Sequence, residues 1–224
     1  MKNKRLYWPP GVTVDVVIFT IEEGELKLLL IRRTADPFRD FWALPGGFLL
    51  KNETAEHASV RILKEKVGIR NIYLEQLYTF DSPARDPRGH VLTVAYMALV
   101  PRENLRFGEW QGVQGPALFP LKNLPKLAFD HRSIIGYAVR RLRAKLEYTN
   151  VAFSLLPKEF ALNDLQRTYE IILGRKLDKR NFRKKFSMLG LVHPTRKMIR
   201  GKRQRPARLY TFASRRPAEL KKFF

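Results

Sequence analysis

The chain has 224 residues, enough for one large domain or two modest ones, and its 45% hydrophobic and 12% aromatic side chains allow a buried core. Lys+Arg number 43 against 21 Asp+Glu, a formal net charge of +22 that calls for a polyanionic partner, either nucleic acid or an anionic membrane surface. With four His and no Cys, disulfide frameworks, cysteine-ligated zinc and thiol nucleophiles are excluded.

The first five residues are basic, but Trp8-Pro9-Pro10-Gly11 interrupts before any apolar run, so no secretory leader is expected. The apolar stretches near residues 12–21 and 26–31 fall far short of a membrane span, and a cytoplasmic protein is the expectation. Residues 12–20 (VTVDVVIFT) and 26–31 (LKLLLI) read as two strands of a hairpin around a Gly-containing turn. Residues 41–47 (FWALPGG) read as a strand entering a tight glycine turn. Residues 54–67 carry Ala55, Ala58, Ile62 and Leu63 at helical spacing, with Gly68 as the stop. Residues 72–80 and 91–100 are strand-like, separated by a loop at 82–89. Asp130 is placed to cap a helix over 130–145 with basic last turns. This first part is α/β with a mixed sheet.

The charge is uneven. Residues 151–224 hold 20 Lys+Arg against 5 Asp+Glu, whereas residues 1–150 hold 23 against 16. The shift falls near residues 147–150, which sets the expected domains at 1–150 and 151–224. In the second part Leu162, Leu165, Tyr169 and Ile172 mark one helix face, opened by the capping-box pattern Asn163/Gln166 and ended by Gly174. Asp178 is placed to cap a second helix running to Leu189. Short strands at 191–192 and 209–212 then flank a basic loop at 195–208, the outline of a winged helix. A third helix is not readable from the sequence.

Residues 179–185 (KRNFRKK) place five cations in seven residues. At 100° per residue Phe182, Phe186 and Leu189 share one face, with Arg180, Arg183, Lys184 and Ser187 opposite, the layout of a recognition helix. Residues 200–208 (RGKRQRPAR) hold five more cations, at a wing tip able to follow the backbone or the minor groove. Lys179, Arg180, Arg183, Lys184, Arg200, Lys202, Arg203, Arg205 and Arg208 are therefore the candidate DNA contacts. The same helix read alone is equally an ordinary solvated charged face, and the wing decides between the two. A membrane-surface helix would need its apolar face exposed, whereas here that face is required for packing.

Residues 46–69 (GGFLLKNETAEHASVRILKEKVGI) follow the Nudix box, G-x5-E-x7-R-E-U-x-E-E-x-G-U with U apolar, at Gly47, Glu53, Arg61, Leu63, Glu65, Gly68 and Ile69. Together with LPGGF at 44–48, RDPRG at 85–89, LAFDH at 127–131 and RPARLYTF at 205–212, the chain resembles the Nudix-related transcriptional regulator family typified by NrtR. The resemblance implies an α/β/α sandwich followed by a C-terminal winged helix. It also implies a bacterial homodimer on a palindromic operator, and control of NAD metabolism with ADP-ribose or a related nucleotide as effector. Sister groups sense a sugar such as arabinose, and the resemblance also implies that some members keep a full metal cluster and hydrolyse ADP-ribose.

Two departures bear on the chemistry. Where the family has three helical glutamates, this chain has Ile62, Glu65 and Lys66. An isoleucine offers Mg²⁺ no ligand, and a lysine ammonium repels it by roughly 4 kcal/mol at ~4 Å and an effective dielectric of ~20. No catalytic residue is expected from the remnant Glu53, Arg61 and Glu65, and Mg²⁺ would matter only to residual hydrolysis. Glu65 is also explained by an i,i+4 ion pair with Arg61, and Glu53 by loop closure or helix capping. The candidate effector residues are Arg33, Glu53, Glu65, Asp86, Arg88, Phe129 and Asp130. Arg33 and Arg88 are suited to phosphate, and Phe129 to stacking on a base or to the core; His131 reads as structural. The rival to a regulator is a working ADP-ribose pyrophosphatase with a basic tail.

Overall fold

The computed structural model describes residues 9–68, 72–105, 115–199 and 206–219. Strands β1 (Gly11–Glu22) and β2 (Glu25–Arg32) form the expected hairpin. The turn passes through Glu23 and Gly24 at φ 54° and 77°, consecutive left-handed residues that suit the twist of the flanking strands. β3 (Trp42–Ala43) and β4 (Gly46–Phe48) lead into helix α1 (Ala55–Val67). The Thr54 hydroxyl accepts the His57 amide at 3.2 Å to start α1, and Gly68 ends it at φ 71°. β5 (Tyr73–Phe80), β6 (Val91–Leu99), β7 (Ala117–Pro120) and helix α2 (His131–Lys145) complete this part.

β1 organises the sheet. One edge runs parallel to β6, while the other is shared, residues 13–15 pairing with β4 and residues 18–22 with β2. The described strand order is β3-β2-β1-β6-β5, with β4 added on β1 and β7 on β2. Alternation along β1 feeds two layers: Val14, Val16 and Ile18 join Ala58, Ile62 and Leu63 of α1, whereas Val17 and Phe19 join Ile134, Ile135 and Leu142 of α2. This is the expected α/β/α sandwich. β7 is an addition to the sequence reading. It is a short strand ending in Pro120, a residue an edge position tolerates because no ladder donor is lost.

The second part holds β8 (Phe160–Ala161), helix α3 (Leu162–Leu173), helix α4 (Lys179–Met188), β9 (Val192–Ile199) and β10 (Ala207–Phe212), with sheet order β8-β10-β9. The element that could not be read is a 3₁₀ helix over Val151–Leu155, too short for a 3.6-residue period. The wing strands are longer than expected, since residues 195–199 and 207–208 are ladder rather than loop. Polar and apolar residues there are largely exposed and do not alternate, which hides the strand pattern.

Two caps differ from the sequence reading. The cap of α3 lies two residues earlier, at Ala161 rather than Asn163, and the Asp164 carboxylate accepts the Ala161 amide at 3.2 Å; Gln166 instead donates to Glu170 and the Leu177 carbonyl. Asp130 occupies the position before α2 but makes no side-chain cap, because Arg85 takes both of its oxygens. A charge-assisted two-point pair outcompetes a single capping bond.

The two parts share one core: Ile134, Ala138, Leu142 and Leu146 join Leu165, Tyr169, Ile172, Phe182 and Phe186. Arg143 of α2 donates Nε to the Ile172 carbonyl at 2.9 Å, covering the C-terminal end of α3. After β10, Arg215 donates to the Phe153, Leu156 and Pro157 carbonyls, and Asn150 pairs with Arg216 and Ala218, so the segment returns to residues 149–150.

Candidate functional site: a cationic cleft and a basic helix

Where β2 and β4 part company along β1, a cleft of about 200 Å³ opens, lined by residues including Asp15, Arg33, Gly46, Phe48, Lys66, Arg85, Asp86, Arg88, Phe129 and His131. Gly46 is required by close approach, since a Cβ there would lie 2.1 Å from Asp15 Oδ1 and 2.7 Å from the Val14 carbonyl.

The cleft's deep wall is a buried ionic network. Arg85 holds Asp130 through Nε at 3.0 Å and Nη2 at 2.8 Å, and reaches Asp15 at 3.4 Å. His131 Nδ1 accepts the Leu44 amide at 3.0 Å, so Nε2 carries the proton and faces Asp15 Oδ1 at 3.6 Å. Burial pushes the His131 pKa below its ordinary value near 6.5 despite the neighbouring carboxylates. The folded state therefore binds fewer protons than the unfolded chain as pH falls below about 6.5, and stability declines there by up to about 1.4 kcal/mol per pH unit. Melting curves between pH 7.5 and 5.5 are expected to show this decline, and His131→Asn, which keeps an acceptor for Leu44, is expected to flatten it.

The mouth is cationic and aromatic. Arg33 sits with its guanidinium carbon 4.7 Å from the Phe129 ring centre, and Arg88 lies 5.6 Å from the same ring and 5.5 Å from Phe48. Phe129 adopts φ 51°, which turns its ring toward Phe38 and the two arginines. Arg88 is paired with Asp86 at 2.7 Å, and although burial opposes it, this bond holds the Asp86 carboxyl below its usual range. Arg33 and Lys66 differ: Arg33 donates to the Pro37 and Ala35 carbonyls and Lys66 to the Gly46 carbonyl, and neither has a carboxylate partner among the described residues. Burial lowers the pKa of both. Two cations hydrogen-bonded to carbonyls, with no carboxylate in direct contact among the described residues, suit an anionic ligand.

Of the seven candidate effector residues, Arg33, Asp86, Arg88 and Phe129 line the cleft. Glu53, Glu65 and Asp130 do not. Glu53 receives Arg61 Nε at 2.7 Å, Arg61 Nη2 at 2.8 Å and the Leu50 amide at 2.9 Å, which closes the loop onto α1 and lowers its pKa to about 2. Among the described residues Glu65 makes only the longer 3.4 Å contact with Arg61, and it is exposed. Asp130 stands one layer back, behind Arg85. The sequence reading passed over Asp15 and Arg85; the signal was a lone carboxylate inside the apolar run VTVDVVIFT, which a buried strand must pair.

The same geometry decides the fit of a divalent ion. Ile62 is fully buried against Val14, Val16 and Leu29, Lys66 projects its ammonium into the cleft, and Glu53 is committed to Arg61. Among the described residues no three His, Cys, Asp or Glu side chains gather to hold a metal. The residues present do not fit Mg²⁺.

On the other part, α4 buries Phe182 and Phe186 against Tyr169 and exposes Lys179, Arg180 and Lys184. Arg183 is half-buried and donates Nη2 to Asn163 of α3 at 2.9 Å, so it braces the two helices. Arg208 is exposed on β10 opposite Met198. Arg200, Lys202, Arg203 and Arg205 lie outside the described residues, as does Ile69.

An α/β/α sandwich bearing a Nudix-box loop and helix, joined to a winged helix with a cationic second helix, defines the class of Nudix-domain transcription regulators. Residues 9–140 match the NUDIX domain and residues 152–212 the NrtR DNA-binding winged helix domain. The "ADPR responsive transcriptional repressor NtrR" of Acinetobacter baylyi is 39% identical over 94% of this chain and 85% of its own. Shewanella oneidensis NrtR solved with a 27mer DNA is 35% identical, with a TM-score of 0.80 over 90% of this chain and 93% of that one. Its NUDIX domain solved with ADP ribose, again 35% identical, gives a TM-score of 0.55 over 62% of this chain and 93% of that one. An ADP-ribose pyrophosphatase of Methanocaldococcus jannaschii is 43% identical over 60% of this chain and 76% of its own. The chain belongs to the NrtR family of Nudix-related transcriptional regulators.

Proposed function

We propose that this protein is a transcriptional repressor whose winged helix grips a DNA operator and whose Nudix cleft senses ADP-ribose without hydrolysing it. Residues 1–150 form the sensing unit and residues 151–224 the DNA-binding unit. The observation that carries the sensing half is the pairing of Arg33 and Lys66 with carbonyls alone, at a cleft where Ile62 and Lys66 replace metal-binding carboxylates. A diphosphate is the anion such a cleft suits, and Phe129 with Phe48 offers the rings for a base. Relatives named for both repression and pyrophosphate cleavage carry ADP-ribose in their names, which favours that nucleotide over a sugar. No metal is required for binding, because Lys66 supplies fixed positive charge in its place.

The protein acts in the cytoplasm of a bacterium, as a homodimer on a palindromic operator of NAD-metabolism genes. Two winged helices related by a twofold axis would meet successive major grooves about 34–36 Å apart. Bound ADP-ribose changes affinity for the operator by favouring one arrangement of the two parts.

Titration calorimetry with ADP-ribose tests the cleft. Arg33→Ala is expected to weaken binding about 10- to 100-fold, the usual worth of a charge-assisted hydrogen bond in a partly dry site. Mg²⁺ is expected to leave the affinity unchanged. Equal affinity of wild type and variant would place the ligand elsewhere.

A further inference from the structure

We propose that Asn181 is the base-reading residue of α4, setting its side-chain amide on the N6/N7 edge of an adenine while Arg180 and Lys184 hold phosphates. The inference rests on the DNA-binding reading above and adds to it what part of the operator is read. Phe182 and Phe186 fix which way α4 faces, since both are buried. At 100° per residue, the side chains on the outward arc are Arg180, Asn181, Lys184, Ser187 and Met188, all of them exposed. Arg183, which the sequence placed on this face, is turned to Asn163 instead.

The chemistry of the arc separates roles. Arg180 and Lys184 carry donors only, which serve phosphate oxygens or the acceptor pair of guanine. Met188 carries no strong donor or acceptor, and Ser187 presents a single oxygen two turns into the helix. Asn181 alone presents a donor and an acceptor side by side, the complement of adenine N7 and N6. It also stands in the first turn, the part of a recognition helix that meets base edges. Its backbone amide is taken by Asp178 Oδ1 at 2.7 Å, which pins the residue while its side-chain amide has no hydrogen-bond partner among the described residues. An exposed amide flanked by cations gains little from folding, but it gains a two-point contact from a base.

Selection from a pool of randomised duplexes, by the full-length chain, tests this directly. Wild type is expected to enrich a motif with a fixed A·T pair in each half-site. Asn181→Ala is expected to relax that pair alone. On the enriched duplex against a scrambled one, its preference should fall about 5- to 150-fold, with scrambled-duplex affinity and salt slope unchanged. Asn181→Gln, the same amide on a longer arm, is expected to retain a reduced preference for adenine, and it decides the matter if the alanine variant melts below wild type. The inference is overturned if both variants select the wild-type motif with undiminished preference, or if affinity for both duplexes drops equally with a shallower salt slope. If wild type enriches no duplex, the DNA-binding reading itself fails.

Discussion

Replacing Lys179, Arg180 and Lys184 together with alanine is expected to weaken duplex binding by roughly two orders of magnitude at about 0.15 M salt. Arg180 and Lys184 are exposed on the face of α4 opposite Phe182 and Phe186, and Lys179 is exposed at the start of the helix, with nothing in the described fold depending on their charge. Each phosphate contact releases about 0.9 of a counterion, so the log–log salt slope should become shallower by about 2.7 per bound winged helix. Fluorescence anisotropy across a salt series reads both numbers. The melting temperature should stay at the wild-type value, because solvated helix charges contribute little to stability. An unchanged slope would move the DNA interface away from α4.

Arg85→Ala is expected to cost about 3–5 kcal/mol of stability, a loss comparable to that from emptying a large core position. The Arg85 side chain is only 3% exposed and is the common partner of Asp130 and Asp15, themselves 22% and 10% exposed. Removing it leaves two carboxylates beside His131 in a largely buried wall, without the cation that pairs with both. Urea unfolding measures the loss. The triple change Arg85→Met, Asp15→Asn and Asp130→Asn removes the charges together and is expected to recover most of it, since the cost lies in the unpaired charge rather than in the missing bond. A variant Arg85→Ala as stable as wild type would mean that the network is hydrated and structurally idle.

The sequence spoke clearly where a local pattern and its stop signal agreed. The β1–β2 hairpin, α1 between Thr54 and Gly68, and α4 after Asp178 appear as read, because each is bounded by its own turn or cap chemistry. It was silent where the decisive partner is distant in the chain. Asp130 looks like a cap from its neighbours, yet Arg85, 45 residues away, claims its carboxylate. The wing strands carry exposed side chains on both faces near their tip, so no apolar alternation marks them. β7 is recognisable only once β2 is there to pair with it.

The candidate cleft divides in the same way. Arg33, Arg88 and Phe129 were legible from residue type beside the Nudix-box resemblance, and they converge. Glu53 and Glu65 carried the family's ligand pattern, but the geometry ties Glu53 to loop closure and leaves Glu65 in solvent. Ile62 was visible as a missing ligand; that it is a core residue packed beneath β1 is a property of the assembled sheet. Its burial explains why restoring a glutamate at that position alone would place an unpaired carboxylate among aliphatic side chains.

The most direct test is the affinity of the chain for its selected duplex across a titration of ADP-ribose in the presence of Mg²⁺, with the nucleotide assayed at the end. The account predicts an affinity shift of about 5- to 150-fold with the ADP-ribose recovered whole. Steady release of AMP and ribose 5-phosphate, with duplex affinity unmoved, would contradict it.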